Sequence, residues 1–257
     1  ATAPESFALG SGTTTLGQAS LAFGTGSNTT ATAANSVAMG LHAEADGPQS
    51  FSMGTNTLAS GSESFSLGFN TVAGGIRSFA LGEGTSTDDA ASHSIAAGQS
   101  SSTFAQSSLA LGNGATTLAG ADGSASIGFD TTAGGKTSLA VGTQSSTLGA
   151  QSVAMGFNSS ADGDFSLAMG SSSLTTSTGV GAVAMGDFAT ANGAQSFSLG
   201  FSTTSNGAQS LALGSGTTTV GDQSVALGSQ TTTNGDFSLA MGSSSSTTSN
   251  GVGAVAM

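Results

Sequence analysis

The chain has 257 residues with 41 glycines, no cysteine, and a formal charge of −12 set by 14 carboxylates against two basic residues, Arg77 and Lys136. Without a cationic footprint it cannot displace the counterions of a nucleic acid, and no apolar run is long enough to insert into a membrane, so neither is a partner of this segment. Lack of cysteine excludes a disulfide framework and any thiolate metal site.

A five-residue unit opens the chain as Ser6-Phe7-Ala8-Leu9-Gly10: serine, apolar, alanine or serine, apolar, glycine. It returns as Ser20-Leu21-Ala22-Phe23-Gly24 and Ser36-Val37-Ala38-Met39-Gly40. Further copies start at Ser50, Ser64, Ser78, Ser94, Ser108, Ser124, Ser138, Ser152, Ser166, Ala182, Ser196, Ser210, Ser224 and Ser238. The last is Ala254-Val255-Ala256-Met257. Copies are spaced by 14 residues, or by 16 where a rung starts at Ser20, Ser78, Ser108, Ser166 or Ser238. A second glycine usually follows seven residues after the first, as at Gly17, Gly61 and Gly207.

Period-two alternation over four or five residues predicts a short strand, and a glycine at each end of a half-rung predicts a tight bend. Two strands and two bends per rung, repeated in phase, predict an all-β fold: a parallel β-solenoid, a flattened β-roll of about 18 rungs with 14- or 16-residue repeats. The extra residues of the longer rungs are read as bulged corners. Residues 1–257 are read as a single continuous β-roll repeat domain. Residues 152–185 match 224–257 at 25 of 34 positions, and the chain stops one residue short of the next expected glycine, so it is expected to be a window of a longer repetitive chain.

Alternation assigns faces. Large residues such as Phe51 and Met53, or Leu211 and Leu213, are expected to point inward, with the Ala or Ser between them outward. In the second half, Ser159 and Ala161, or Thr203 and Ser205, are expected to line the opposite inner wall, as are Thr217, Thr219, Thr231 and Thr233. Two buried large side chains per rung supply about 3–6 kcal/mol. Ordering a rung's backbone costs about 1–2 kcal/mol per residue. Burial within one roll falls short, which predicts an oligomer.

Candidate contact residues follow from the same frame. Phe69, Phe129, Phe157 and Phe201 stand directly after the first glycine, at a corner, where they are expected to pack on a neighbouring chain or meet a ligand. Thr190, Thr204, Thr218 and Thr232 recur at one position of successive rungs and predict an outward rank, flanked by Asn192, Asn206, Val220 and Asn234. Threonine arrays on β-solenoids bind ice, so an ice- or crystal-surface binder is the alternative function.

His42 and His93 lie in different rungs without ligand spacing, and are read as solvated corner residues. Asp88, Asp89, Asp162, Asp164, Asp222 and Asp236 are scattered and lack the Gly-Gly-x-Gly-x-Asp repeat of stacked calcium sites. No catalytic residue, metal site or cofactor is assigned, and an enzyme is not expected.

Ser152-Val153-Ala154-Met155-Gly156, followed by Ser159, Ala161 and Gly163, resembles the head repeats of trimeric autotransporter adhesins. That resemblance covers essentially the whole chain. It implies a left-handed β-roll, a side-by-side homotrimer, and an extracellular structural fibre or adhesin head segment that mediates surface attachment. The implied partners are further copies of the chain and an unknown surface receptor or host matrix. Similar repeats occur in phage and viral fibres, so the implied location is the cell surface or a virion surface.

Overall fold

The structure, a computed structural model, describes residues 2–248 and 252–257. None of them is helical, so no helix is long and apolar enough to cross a membrane. The chain divides into two compact units, Ala1–Asp130 and Thr131–Met257.

A rung is built the same way in both. The strand starts one residue after the serine and ends one residue past the glycine, as in Val37–Leu41. A left-handed residue, here His42 at φ 52°, turns the chain into a two-residue strand, Glu44–Ala45. A second corner ends in another left-handed residue, Gln49 at φ 57°, immediately before the next serine. In the first unit, nine such longer strands run from Phe7–Ser11 to Ala125–Phe129, with eight two-residue strands between them. In the second, the longer strands run from Leu139–Thr143 to Val255–Ala256 and the short ones from Thr132–Ala133 to Ser246–Thr247.

Within each unit every strand pairs in parallel with its equivalent one rung away, without slippage. Phe51 and Met53 align with Phe65 and Leu67 in the first unit. Leu211 and Leu213 align with Val225 and Leu227 in the second. The fold is an all-β parallel solenoid.

The phase of the alternation is the reverse of the expected one. Among the described residues the buried apolar side chains are all alanines, including Ala38, Ala154 and Ala212 at zero exposure. The large residues flanking them face outward, and Leu213 is 44% exposed. Ser159, Ala161, Thr203, Ser205, Thr217, Thr219, Thr231 and Thr233 are buried, as expected.

The interior therefore takes only Ala, Ser and Thr from both walls, and the walls close to a separation that leaves no volume for a larger side chain. Buried hydroxyls need partners, and the two walls supply them to each other. The opening serine meets the threonine nine residues on: Ser138 and Thr147 at 2.7 Å, Ser166 and Thr175 at 2.7 Å, Ser210 and Thr219 at 2.8 Å. Where the middle residue is serine it bonds the threonine five residues on, as Ser52 with Thr57 and Ser66 with Thr71, both at 2.7 Å.

The first glycine is required twice over. Gly156 has φ +132°, and a Cβ on it would lie 1.9 Å from the carbonyl oxygen of Gly170 in the next rung. Ser159 Oγ then donates to that same carbonyl at 2.7 Å. The second glycine is favoured by approach alone: a Cβ on Gly207 would lie 2.0 Å from the Gly221 oxygen, and of the 14-residue rungs only the one starting at Ser94 replaces it, with Ala105. The 16-residue rungs place Ala31, Asp89, Ala119 or Ser177 there instead and widen the corner. Thr178 Oγ1 at one such corner donates to the Asn192 carbonyl at 2.9 Å.

Candidate functional site

With the interior filled by small residues, the functional surface is the outside of the longer strands. Each strand projects two apolar side chains outward, giving two in-register ranks. In the first unit Phe51, Phe65 and Phe79 stack ring on ring at 4.7 and 4.9 Å, with planes within 3° and 6° of parallel. Beside them run Met53, Leu67 and Leu81. Phe23, Met39 and Met53 border an apolar groove floored by Gly40 and Gly54, where the glycines contribute no side chain. The second unit carries two such ranks of its own, with Leu211, Val225 and Leu239 in one and Leu213, Leu227 and Met241 in the other.

The corner aromatics read from the sequence sit at strand ends, each about half exposed. Within each unit the two stand several rungs apart. Phe69 has Glu83 in register on the next rung, and Phe157 and Phe201 have Ser171 and Ser215. Phe201 does gain a neighbour missed in the sequence: the ring of Phe188, edge-on at 6.4 Å and 86°. Phe188 occupies the left-handed position two residues after the glycine, at φ 57°, where other rungs place His42, Asn56, Asn70 or Asn158. A phenylalanine in a column otherwise filled by Gly, Ser, Asn, Asp, Gln and His was the available signal. Phe165 and Phe237 break the other left-handed column in the same way.

Thr190, Thr204, Thr218 and Thr232 pair in register along the two-residue strands and are half-buried. The column beside them is an amide ladder, with Asn192 Nδ2 donating to Asn206 Oδ1 at 2.6 Å, interrupted by exposed Val220. Gln209 and Gln223 extend a second ladder by donating to Gln195 and Gln209 at 3.1 and 2.9 Å.

Charged groups are few. Arg77 holds Glu63 through two bonds, Nε to Oε2 at 2.9 Å and Nη2 to Oε1 at 3.2 Å, which keeps the Glu63 carboxyl below its ordinary range. The pair is exposed and screened by water. Asp46 behaves oppositely. Burial, then the charge of Glu44, pushes its carboxyl above the ordinary value, and its Oδ1 is buried without a hydrogen-bond partner. His42 and His93 occupy exposed left-handed corners in different columns. Among the described residues no three His, Asp or Glu side chains gather as a metal site.

The YadA head domain repeat, taken two copies at a time, matches residues 1–27, 17–43, 31–57, 59–85, 91–115, 148–173, 177–203, 191–217, 205–231 and 220–245, together well over half the chain. No curated protein matches it. Among solved structures, the collagen-binding domain of the Yersinia adhesin YadA is similar at 29% identity with a TM-score of 0.34, over 62% of this chain and 70% of that one.

Proposed function

This chain belongs to the family of YadA head-domain repeats, and from that premise we propose that it works outside the cell as a homotrimeric adhesin head, attaching the surface that bears it to a host matrix or receptor. The observation that carries the reading is the inverted alternation. Within each unit large apolar side chains, including the Phe51–Phe65–Phe79 stack, stand outside the roll in two in-register ranks, with alanine in their place only at Ala97 and Ala125 among the described residues, while alanine and hydroxyls fill the inside. Apolar patches of that extent mark interaction surfaces. Further copies of the same chain, carrying the same ranks at the same rung spacing, offer the matching cover. Three copies side by side is the arrangement that the head-repeat family leads one to expect.

Assembly and attachment are tested separately. Light scattering on the purified chain is expected to give close to three times its 24.2 kDa mass. Beads coated with it are expected to adhere to matrix-coated surfaces. A monomer with its apolar ranks in water would overturn the trimer, and beads that bind no matrix would overturn attachment.

A second reading, binding to ice or a mineral crystal face, is supported by the single in-register rank Thr190, Thr204, Thr218 and Thr232. Thermal hysteresis in solutions of the protein would favour it over attachment to a matrix.

A further inference from the structure

Among the left-handed corners of the second unit that carry a residue their backbone does not favour, Thr137, Phe165, Phe188 and Phe237, two share the same sequence surroundings. The position just before each opening serine is left-handed, and Gln151, Gln195, Gln209 and Gln223 hold it at φ between 52° and 55°. Phe165 and Phe237 hold the same position at φ 57° and 55°. A bulky residue there is a conformational outlier, and strain of this kind points to a use elsewhere. The use is not packing within the roll, because the two rings are 61% and 62% exposed.

Their surroundings match. Gly163-Asp164-Phe165-Ser166-Leu167-Ala168-Met169-Gly170 recurs without change as residues 235–242. Each phenylalanine follows an aspartate whose Oδ1 accepts a backbone N–H from the rung before, Asp164 from Ala150 and Asp236 from Asp222, both at 2.8 Å. That bond pins the carboxylate to the corner. On the following rung the equivalent position is glycine, Gly181 or Gly253, whose N–H bonds the Asp164 or Asp236 carbonyl at 2.8 or 2.9 Å. No side chain at that position stacks over the ring.

We propose that these two Asp-Phe corners are binding sites for arginine or lysine side chains of a partner protein. The face of an aromatic ring attracts a cation, and an adjacent carboxylate strengthens the attraction. Charge complementarity selects this occupant: the chain has net charge −12 and only two basic residues of its own to compete. The two corners lie five rungs apart within one unit, roughly 24 Å at the usual strand spacing. A basic segment long enough to span them would engage both and gain from the linkage. This rests on the attachment reading above and names the chemistry of the partner.

The test replaces both rings without changing charge. Phe165→Gln and Phe237→Gln install the residue that Gln151 and Gln195 already place at this corner, so the double variant is expected to fold and assemble as the parent does. Should it melt early, the paired Asn substitution, following Asn35 at φ 57°, replaces it. A fluorescent octa-arginine amide is titrated into each protein at physiological salt, with an octa-citrulline amide and a neutral chitin hexasaccharide as competitors. The double variant is expected to bind the arginine peptide roughly 3- to 30-fold more weakly, and neither competitor is expected to displace it. Unchanged affinity in the double variant would show bulk electrostatics alone and overturn the proposal, as would displacement by citrulline or by the sugar. A drop in oligomeric mass in the double variant would assign these corners to the contact between copies and overturn it too. Bead adhesion is read on the same proteins: adhesion with no ring-dependent peptide binding defeats only this inference, whereas no adhesion by the parent defeats the reading beneath it.

Discussion

Neighbouring residues of one strand face opposite environments, and substitutions there separate them sharply. Ala212 is fully buried between walls that admit nothing larger than threonine, so Ala212→Leu must push the walls apart at a cost of about 1–3 kcal/mol. The expected readout is an early, broadened thermal transition. Gly156→Ala meets two obstacles, the positive φ and the Gly170 oxygen. It is expected to lose at least about 2 kcal/mol in a denaturant titration. Asp46 gives a pH signature. Its folded carboxyl titrates above the ordinary value, so between the two values the folded state holds a proton that the unfolded chain has released. The resulting penalty is complete above the raised folded value and disappears as pH falls through it toward 3.8. Asp46→Asn, which installs the residue found at the equivalent Asn192 and Asn206, is expected to raise the melting temperature at pH 7 and to leave it unchanged at pH 3.5. Equal melting temperatures at both pH values would contradict the assignment.

At the scale of the element, the rung is the unit of stability, because the backbone of each strand pairs only with its equivalents before and after. Excising residues 210–223 joins Gln209 to Ser224, the same Gln-Ser junction the chain already uses at Gln223. The shortened protein is expected to fold, with circular dichroism per residue unchanged and a modestly lower melting temperature. Loss of all β signal would mean that the rungs are not interchangeable. The rung was legible in the sequence because a fixed glycine interval and period two are backbone properties. Phase was not, since a ladder of large residues facing small ones fits the same alternation. What decides it is the facing wall: both inward positions of the second half are small, and the opening serine shares parity with the middle residue. Middle serines also come with threonine five residues on, as Ser52 with Thr57 and Ser198 with Thr203. The corner aromatics Phe69, Phe129, Phe157 and Phe201 were found because they occupy one offset from the glycine. Phe165, Phe188 and Phe237 escaped because their distinction is a left-handed φ, which shows in the sequence only as an aromatic misfit within two columns of mostly polar residues and glycine.

For the whole molecule, the proposed trimer would let the outward ranks separate folding of the chain from assembly. Leu213→Asp puts a carboxylate into the exposed rank. If the chain is the proposed trimer, the substitution is expected to lower its mass in solution from three chains to one while the β signal of the roll persists. Ala212→Asp, one residue away, is expected to abolish that signal, because the charge would be buried without a partner. If both variants unfold together, the roll cannot stand without its copies.

An interior of methyl and hydroxyl groups has a calorimetric consequence. Heat-capacity change on unfolding tracks apolar surface delivered to water, and polar surface subtracts from it. A single chain keeps its leucines, methionines and phenylalanines wet, so most of that change would accompany separation of the copies rather than loss of the roll. Melting should then depend on protein concentration, and a chain held monomeric should show an unusually flat dependence of stability on temperature.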